Sequence, residues 1–262
     1  MLEIFFEIII FFLKDYREQL NLLSSFIDGS AIYGMSASIS QTLRTFSNGL
    51  LKTSPGLFGN GSAAKQETLS GRTYLPLSND TCSSSSTAGY KCFMAGEHRT
   101  SENLGLVGVQ TLFAREHNRV ASSLASLNPS WNDETLYQEA RRIVIAQLQH
   151  ITYNEFVPEL VGDFSLSPLT SNDYFTGYNG SVSPQITGEF ATAAFRMGHS
   201  LIRQINTLVD MNQTFTAKAF QNDYLPSYFF NDSIFRSDMA YKYVCVCVYL
   251  ILSFIHSFIY LI

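Results

Sequence analysis

The chain has 262 residues, 46% of them hydrophobic and only 15% charged, which is ample for a buried core. Its net charge of −5, with no basic run, excludes an electrostatic nucleic-acid footprint. No nucleic-acid partner is expected.

Residues 1–13 are almost wholly apolar, like a signal-peptide core. They lack a basic flank and a small-residue cleavage site, and they carry two glutamates. Residues 1–16 are set apart as a signal-like or unrelated apolar segment.

Next comes Ser24-Ser25-Phe26-Ile27-Asp28-Gly29-Ser30, with oxygen donors at alternate positions: Ser24, the Phe26 carbonyl, Asp28 and Ser30. A flexible oxygen-rich loop suits a hard cation such as Ca²⁺. By spacing alone an ordinary turn with a helix cap is the simpler reading. Residues 36–48 read as a short helix, and residues 49–91 as a long irregular connection with an extended piece near Tyr74–Leu77. Within it, Cys82 and Cys92 flank a Ser-rich loop at a spacing that suits a local disulfide.

Ala95-Gly96-Glu97-His98-Arg99-Thr100-Ser101-Glu102 leads into an apolar-periodic run ending near Pro129. Thr100 or Ser101 is expected to cap that helix. Arg99 and Glu102 read either as a surface ion pair at a helix start or as a functional cation and carboxylate. The clearest helix spans 132–153, with Leu136, Ala140, Ile143, Val144, Leu148 and Ile151 at helical spacing. Residues 162–183 read as loop, and Pro184 is expected to open a helix carrying Arg196 and His199. By itself, His199 among apolar neighbours reads as a packed core histidine.

Residues 203–242 are irregular, and residues 243–262 carry no formal charge over a length that could span a bilayer. Tail anchor and apolar tail remain equal alternatives there, so membrane contact through 243–262 stays open. In that run Cys245 and Cys247 read as small hydrophobes. Sequons at Asn60, Asn79, Asn179, Asn212 and Asn231, with the Cys82/Cys92 loop, point to an oxidising secretory or extracellular setting.

Taken together, Ser25–Gly34, Cys92–Glu102, Arg115-Glu116-His117-Asn118-Arg119-Val120, Leu136–Val144 and Ala194–His199 resemble the animal haem peroxidases in order and spacing. The resemblance covers about residues 17–215, and the partial domain is placed at 17–240. It implies a mainly α-helical fold, incomplete at both ends, that holds haem. It implies that His199 ligates the iron, its other ring N–H meeting an acceptor. Arg196 is placed with it among the cofactor-binding residues. Arg99 resembles the distal arginine and Glu102 the carboxylate that esterifies a haem methyl. Ser24, Phe26, Asp28 and Ser30 align with the family's Ca²⁺ loop, which reverses the preference for a plain turn.

Departures accompany the match. The family's distal histidine precedes the Asp28 loop, whereas residues 1–20 contain no histidine. His98 is no motif-matched substitute. Asn103 stands where myeloperoxidase has a vinyl-linked methionine. The family's asparagine partner of the proximal histidine lies beyond the point where this chain turns apolar. The implied function is H₂O₂-dependent oxidation of small electron donors or halides, with a role in the response to oxidative stress. The alternative is a catalytically impaired binding protein, secreted or membrane-tethered.

Overall fold

A computed structural model describes residues 21–55, 73–81, 91–102, 104–162 and 177–201. The architecture is mainly helical. Two long helices, α3 (Leu104–Leu127) and α4 (Asp133–Ile151), form a hairpin against which the shorter elements pack. Before it come α1 (Ser30–Tyr33) and α2 (Ala37–Leu43), then two two-stranded antiparallel ribbons. These pair β1 (Ser54–Pro55) with β2 (Thr73–Tyr74) and β3 (Leu77–Thr81) with β4 (Lys91–Phe93). After α4 the chain makes a π-helical turn (Thr152–Phe156) and a short α5 (Val157–Val161). Then follow α6 (Gly188–Thr192) and a 3-10 segment (Ala194–Leu201).

The hairpin forms for local reasons. Asn132 caps α4 by accepting from the Thr135 amide at 2.9 Å, and Asp133 and Glu134 sit on the positive end of the helix. Leu136, Ala140, Val144 and Leu148 then recur on one face and are buried. Val144 and Leu148 join a core that also takes Tyr33, Leu43, Tyr74, Phe93, Val107, Phe113 and Phe195, while Ala140 packs with Val120 and Ala121 of α3 in a second cluster. Full burial of such a side chain contributes about 1.5–3 kcal/mol.

The acidic start of α4 also holds the 44–51 turn. Arg44, buried, pairs with Asp133 at 2.7 Å and with Glu134, and lies 3.9 Å over the Tyr137 ring. Asp133 accepts the Gly49 amide at 2.6 Å. Gly49 has φ 70°, and a Cβ there would meet the Tyr137 nitrogen at 2.6 Å, so only glycine fits. The Asn118 side chain bonds both backbone groups of Leu51, at 2.8 and 3.0 Å.

Three boundaries differ from the sequence-based expectation. The helix expected over 36–48 stops at Leu43, because Arg44 turns toward α4 and Phe46 and Asn48 take left-handed backbone. The helix after Arg99 starts at Leu104 rather than at Thr100 or Ser101. Thr100 Oγ1 donates to the Glu97 carbonyl at 2.6 Å, and Ser101 Oγ accepts the Phe93 amide at 3.0 Å, so neither hydroxyl caps. Pro184 does not open a helix; residues 183–187 precede α6, which Thr187 caps. His199 therefore stands on a 3-10 segment, not on a long α-helix.

Candidate functional site

The turn Gly96–Glu102 is positioned from both sides. Gly96 lies so close to α1 that a Cβ would meet the Ser30 carbonyl oxygen at 2.1 Å, and its amide donates to the Ala31 carbonyl at 3.0 Å. Downstream, Ser101 is buried and fastened to Phe93 of β4. The backbone between is closed by the Glu102 amide on the Arg99 carbonyl at 2.8 Å.

Within this turn Arg99 does not pair with Glu102. Its Nε donates to Glu97 Oε1, and the same oxygen accepts the Arg99 amide at 3.2 Å. The Glu97 side chain is 7% exposed and the Arg99 side chain 16%, so this pair is shielded from water. His98 is turned outward, its side chain 86% exposed and its Nδ1 3.7 Å from Glu97. Glu102 is half-buried, and its Oε2 is buried without a hydrogen-bond partner. Burial raises its pKa above the ordinary carboxylate value. Arg99 opposes the rise, Glu97 adds to it, and His98 and His199 oppose it.

His199 acts on Glu102 only as the weakest of the charges that oppose its rise. Phe195 anchors the 3-10 segment. It is buried in the main core and packs on Phe190 with ring centres 5.2 Å apart. His199 is exposed, and its Nδ1 lies 2.8 Å from the Arg196 carbonyl oxygen. A carbonyl only accepts, so Nδ1 donates to it. That is the orientation a metal-ligating imidazole needs, with its far N–H held by a backbone acceptor. Arg196 takes part through its carbonyl. An imidazole held at Nδ1 by a backbone carbonyl, an orphaned buried carboxylate oxygen and a shielded arginine are groups that could hold an iron-bearing macrocycle. Asn103 lies outside the described residues.

The Asp28 loop closes on itself. Asp28 Oδ2 accepts from Ser24 Oγ at 2.8 Å, and Oδ1 accepts the Ser30 amide at 2.9 Å. Ser24 Oγ also accepts the Phe26 amide at 3.2 Å. Ser30 Oγ is buried without a partner. One carboxylate among hydroxyl and carbonyl oxygens is a hard donor set, fitted to Ca²⁺ rather than to a transition metal. No group of three or more His, Cys, Asp or Glu side chains able to hold a metal occurs among the described residues.

Other expected features fall as follows. Cys92 is disulfide-bonded; Cys82 lies outside the described residues. Asn179 is exposed on a turn, and Asn79 falls in β3. Asn60, Asn212, Asn231 and both apolar ends, 1–16 and 243–262, lie outside the described residues. Among the described residues no helix is long and apolar enough to cross a membrane.

Sequence reasoning missed two features. One is Glu97, whose spacing from Arg99 matches no helical pair rule; the signal was only an acid in the same short turn. The other is His117, fully buried, which lies 3.0 Å from the Tyr33 hydroxyl and 2.8 Å from the Gly49 carbonyl oxygen. It sits within the Arg115–Val120 stretch without a role having been read for it.

Comparison with known proteins agrees with this geometry. The family model for animal haem peroxidase matches residues 11–257. Chorion peroxidase of Drosophila melanogaster is 46% identical over 193 residues, 71% of this chain and 22% of that protein. Mouse myeloperoxidase is 40% identical over 190 residues, 71% of this chain and 25% of that protein. The solved structure of peroxidase A from Dictyostelium discoideum superposes with a TM-score of 0.64 at 32% identity, covering 84% of this chain and 39% of that one. The chain thus spans a quarter or less of these two curated relatives' length. On the match of sequence and helical fold, the chain belongs to the animal haem peroxidase family.

Proposed function

We propose that this chain supplies the haem-binding face of a peroxidase that uses H₂O₂ to oxidise small donors or halides in an oxidative-stress setting. The observation that carries the reading is the Gly96–Glu102 turn, which holds a shielded Arg99 and a Glu102 carboxyl oxygen buried without a partner. In this reading His199 Nε2 binds the iron, Glu102 forms the ester link and Arg99 supplies a fixed positive charge beside the peroxide. When bound, haem supplies the two-electron oxidising chemistry. The chain's own residues orient it, keep the arginine charged and hold the Glu102 carboxyl ready. Ser24, Phe26, Asp28 and Ser30 hold Ca²⁺, and Gly96 ties that loop to the arginine turn. A Cys82–Cys92 disulfide and glycans on the five sequons accompany a secretory or extracellular location, with 243–262 available as a membrane contact.

A second reading, a peroxidase-like binding protein with little turnover, is favoured by one observation. The histidine nearest Arg99 in the chain is the outward-facing His98, and the Arg99 guanidinium is already engaged by Glu97. Moving a proton between peroxide oxygens by a positioned base contributes roughly 10²–10⁴-fold, and arginine is a poor base.

Haem titration with Ca²⁺ present separates these readings. The wild-type chain is expected to develop a Soret band and His199→Ala to lose it; after H₂O₂ is added as the oxidant for the ester link, wild type is expected to retain its haem in acidified organic solvent and Glu102→Gln to release it. No Soret band in wild type overturns the haem reading. Guaiacol or bromide oxidation no faster than that by free haem favours the binding protein.

A further inference from the structure

We propose that Glu97 is a positioning residue that keeps Arg99 from closing on Glu102, leaving the Glu102 carboxyl unpaired. The proposal deepens the peroxidase reading by assigning control of its ester-forming carboxyl. Arg99 stands between two acids in one short turn, and it is committed to one of them. Its Nε edge and its amide both engage Glu97 Oε1. The Glu97 side chain is only 7% exposed, so the pair forms where attraction is little screened. The backbone favours the same choice, because the Glu97 carbonyl accepts from Thr100 Oγ1 at 2.6 Å and fixes the turn. Glu102 Oε2, by contrast, is buried with no hydrogen-bond partner.

An orphaned carboxylate oxygen next to an arginine is an unstable arrangement unless something else holds the arginine, since a buried unpaired acceptor is costly. Glu97 supplies that hold. Were it removed, the guanidinium would turn to Glu102 and form a charge-assisted pair there. A carboxylate so paired is a weaker nucleophile and less easily protonated. Glu97 thus decides which of two acids the arginine neutralises, and so which one remains reactive.

The test reads Glu102 directly on the haem-free chain with Ca²⁺ present, so that it stands apart from haem binding. A water-soluble carbodiimide activates the carboxyl, and glycine methyl ester displaces the urea to leave an amide that peptide mass spectrometry quantifies. Glu102 labelling is expected to fall about fivefold in Glu97→Gln. It is expected to return to the wild-type level in Glu97→Gln/Arg99→Gln, and to stay within twofold of wild type in Glu97→Asp. Arg99→Gln alone is expected to leave labelling within twofold of wild type, and it carries the test if Glu97→Gln does not fold. Unchanged labelling in Glu97→Gln, or a several-fold rise in Arg99→Gln, overturns the proposal. Failure of the peroxidase reading shows separately, as a wild-type chain without a Soret band whose labelling pattern still follows Glu97.

Discussion

His117 is a side chain whose protonation the fold controls strongly. Burial holds its pKa down to about 4, aided by the positive charges of Arg44 and Arg141 and opposed by the bond to the Gly49 carbonyl. Its ring also meets Tyr33 and Tyr137 at centre distances of 5.3 and 5.4 Å. The imidazole is neutral in the fold but takes a proton in the unfolded chain below its ordinary value of 6.5. Its contribution is therefore complete above about pH 6.5 and is lost as pH falls toward 4, with a loss of roughly 3 kcal/mol at the acid end. Urea unfolding at pH 7.5 and pH 5 should show a clear drop in midpoint for the wild-type chain. His117→Gln, destabilised overall, should show a distinctly smaller difference between the two pH values. Equal acid sensitivity in both would place the effect elsewhere.

Among the elements, two glycines make opposite predictions. A Cβ at Gly96 would meet the Ser30 carbonyl oxygen at 2.1 Å and the Gly34 amide nitrogen at 2.2 Å, both fixed backbone. Gly96→Ala should cost about 3 kcal/mol or more and part α1 from the arginine turn. At Gly108, inside α3, an added Cβ would meet nothing within 4 Å. Gly108→Ala should stabilise by about 0.5–1 kcal/mol, through helix propensity alone. Thermal unfolding of the two variants checks both signs. The helices themselves were legible in sequence where period and cap agreed: the expected 132–153 helix appears as Asp133–Ile151 with Asn132 as its cap. Legibility failed where side chains bonded to distant partners. Ser101 is spent on Phe93 and Arg44 on α4, and neither contact leaves a local pattern.

At the scale of the molecule, the proposed site residues Arg99, Glu102 and His199 could be named from their order, but the anchoring of the His199 segment through Phe195 could not, because it depends on the core. The pairing of Arg99 with Glu97 rather than Glu102 could not be read, because it depends on how the turn folds. The tie between Gly96 and Ala31 carries a kinetic consequence. The Asp28 loop leads into α1, whose Ala31 carbonyl accepts the Gly96 amide, so the two regions cannot open independently. They form one unit in hydrogen exchange. Adding Ca²⁺ should slow deuterium uptake at Gly96 and Thr100 as well as at Ser30, while the exposed amides at the end of α3 keep their rate. A cation held at one end of this unit would then set how often the arginine turn at the other end opens to water.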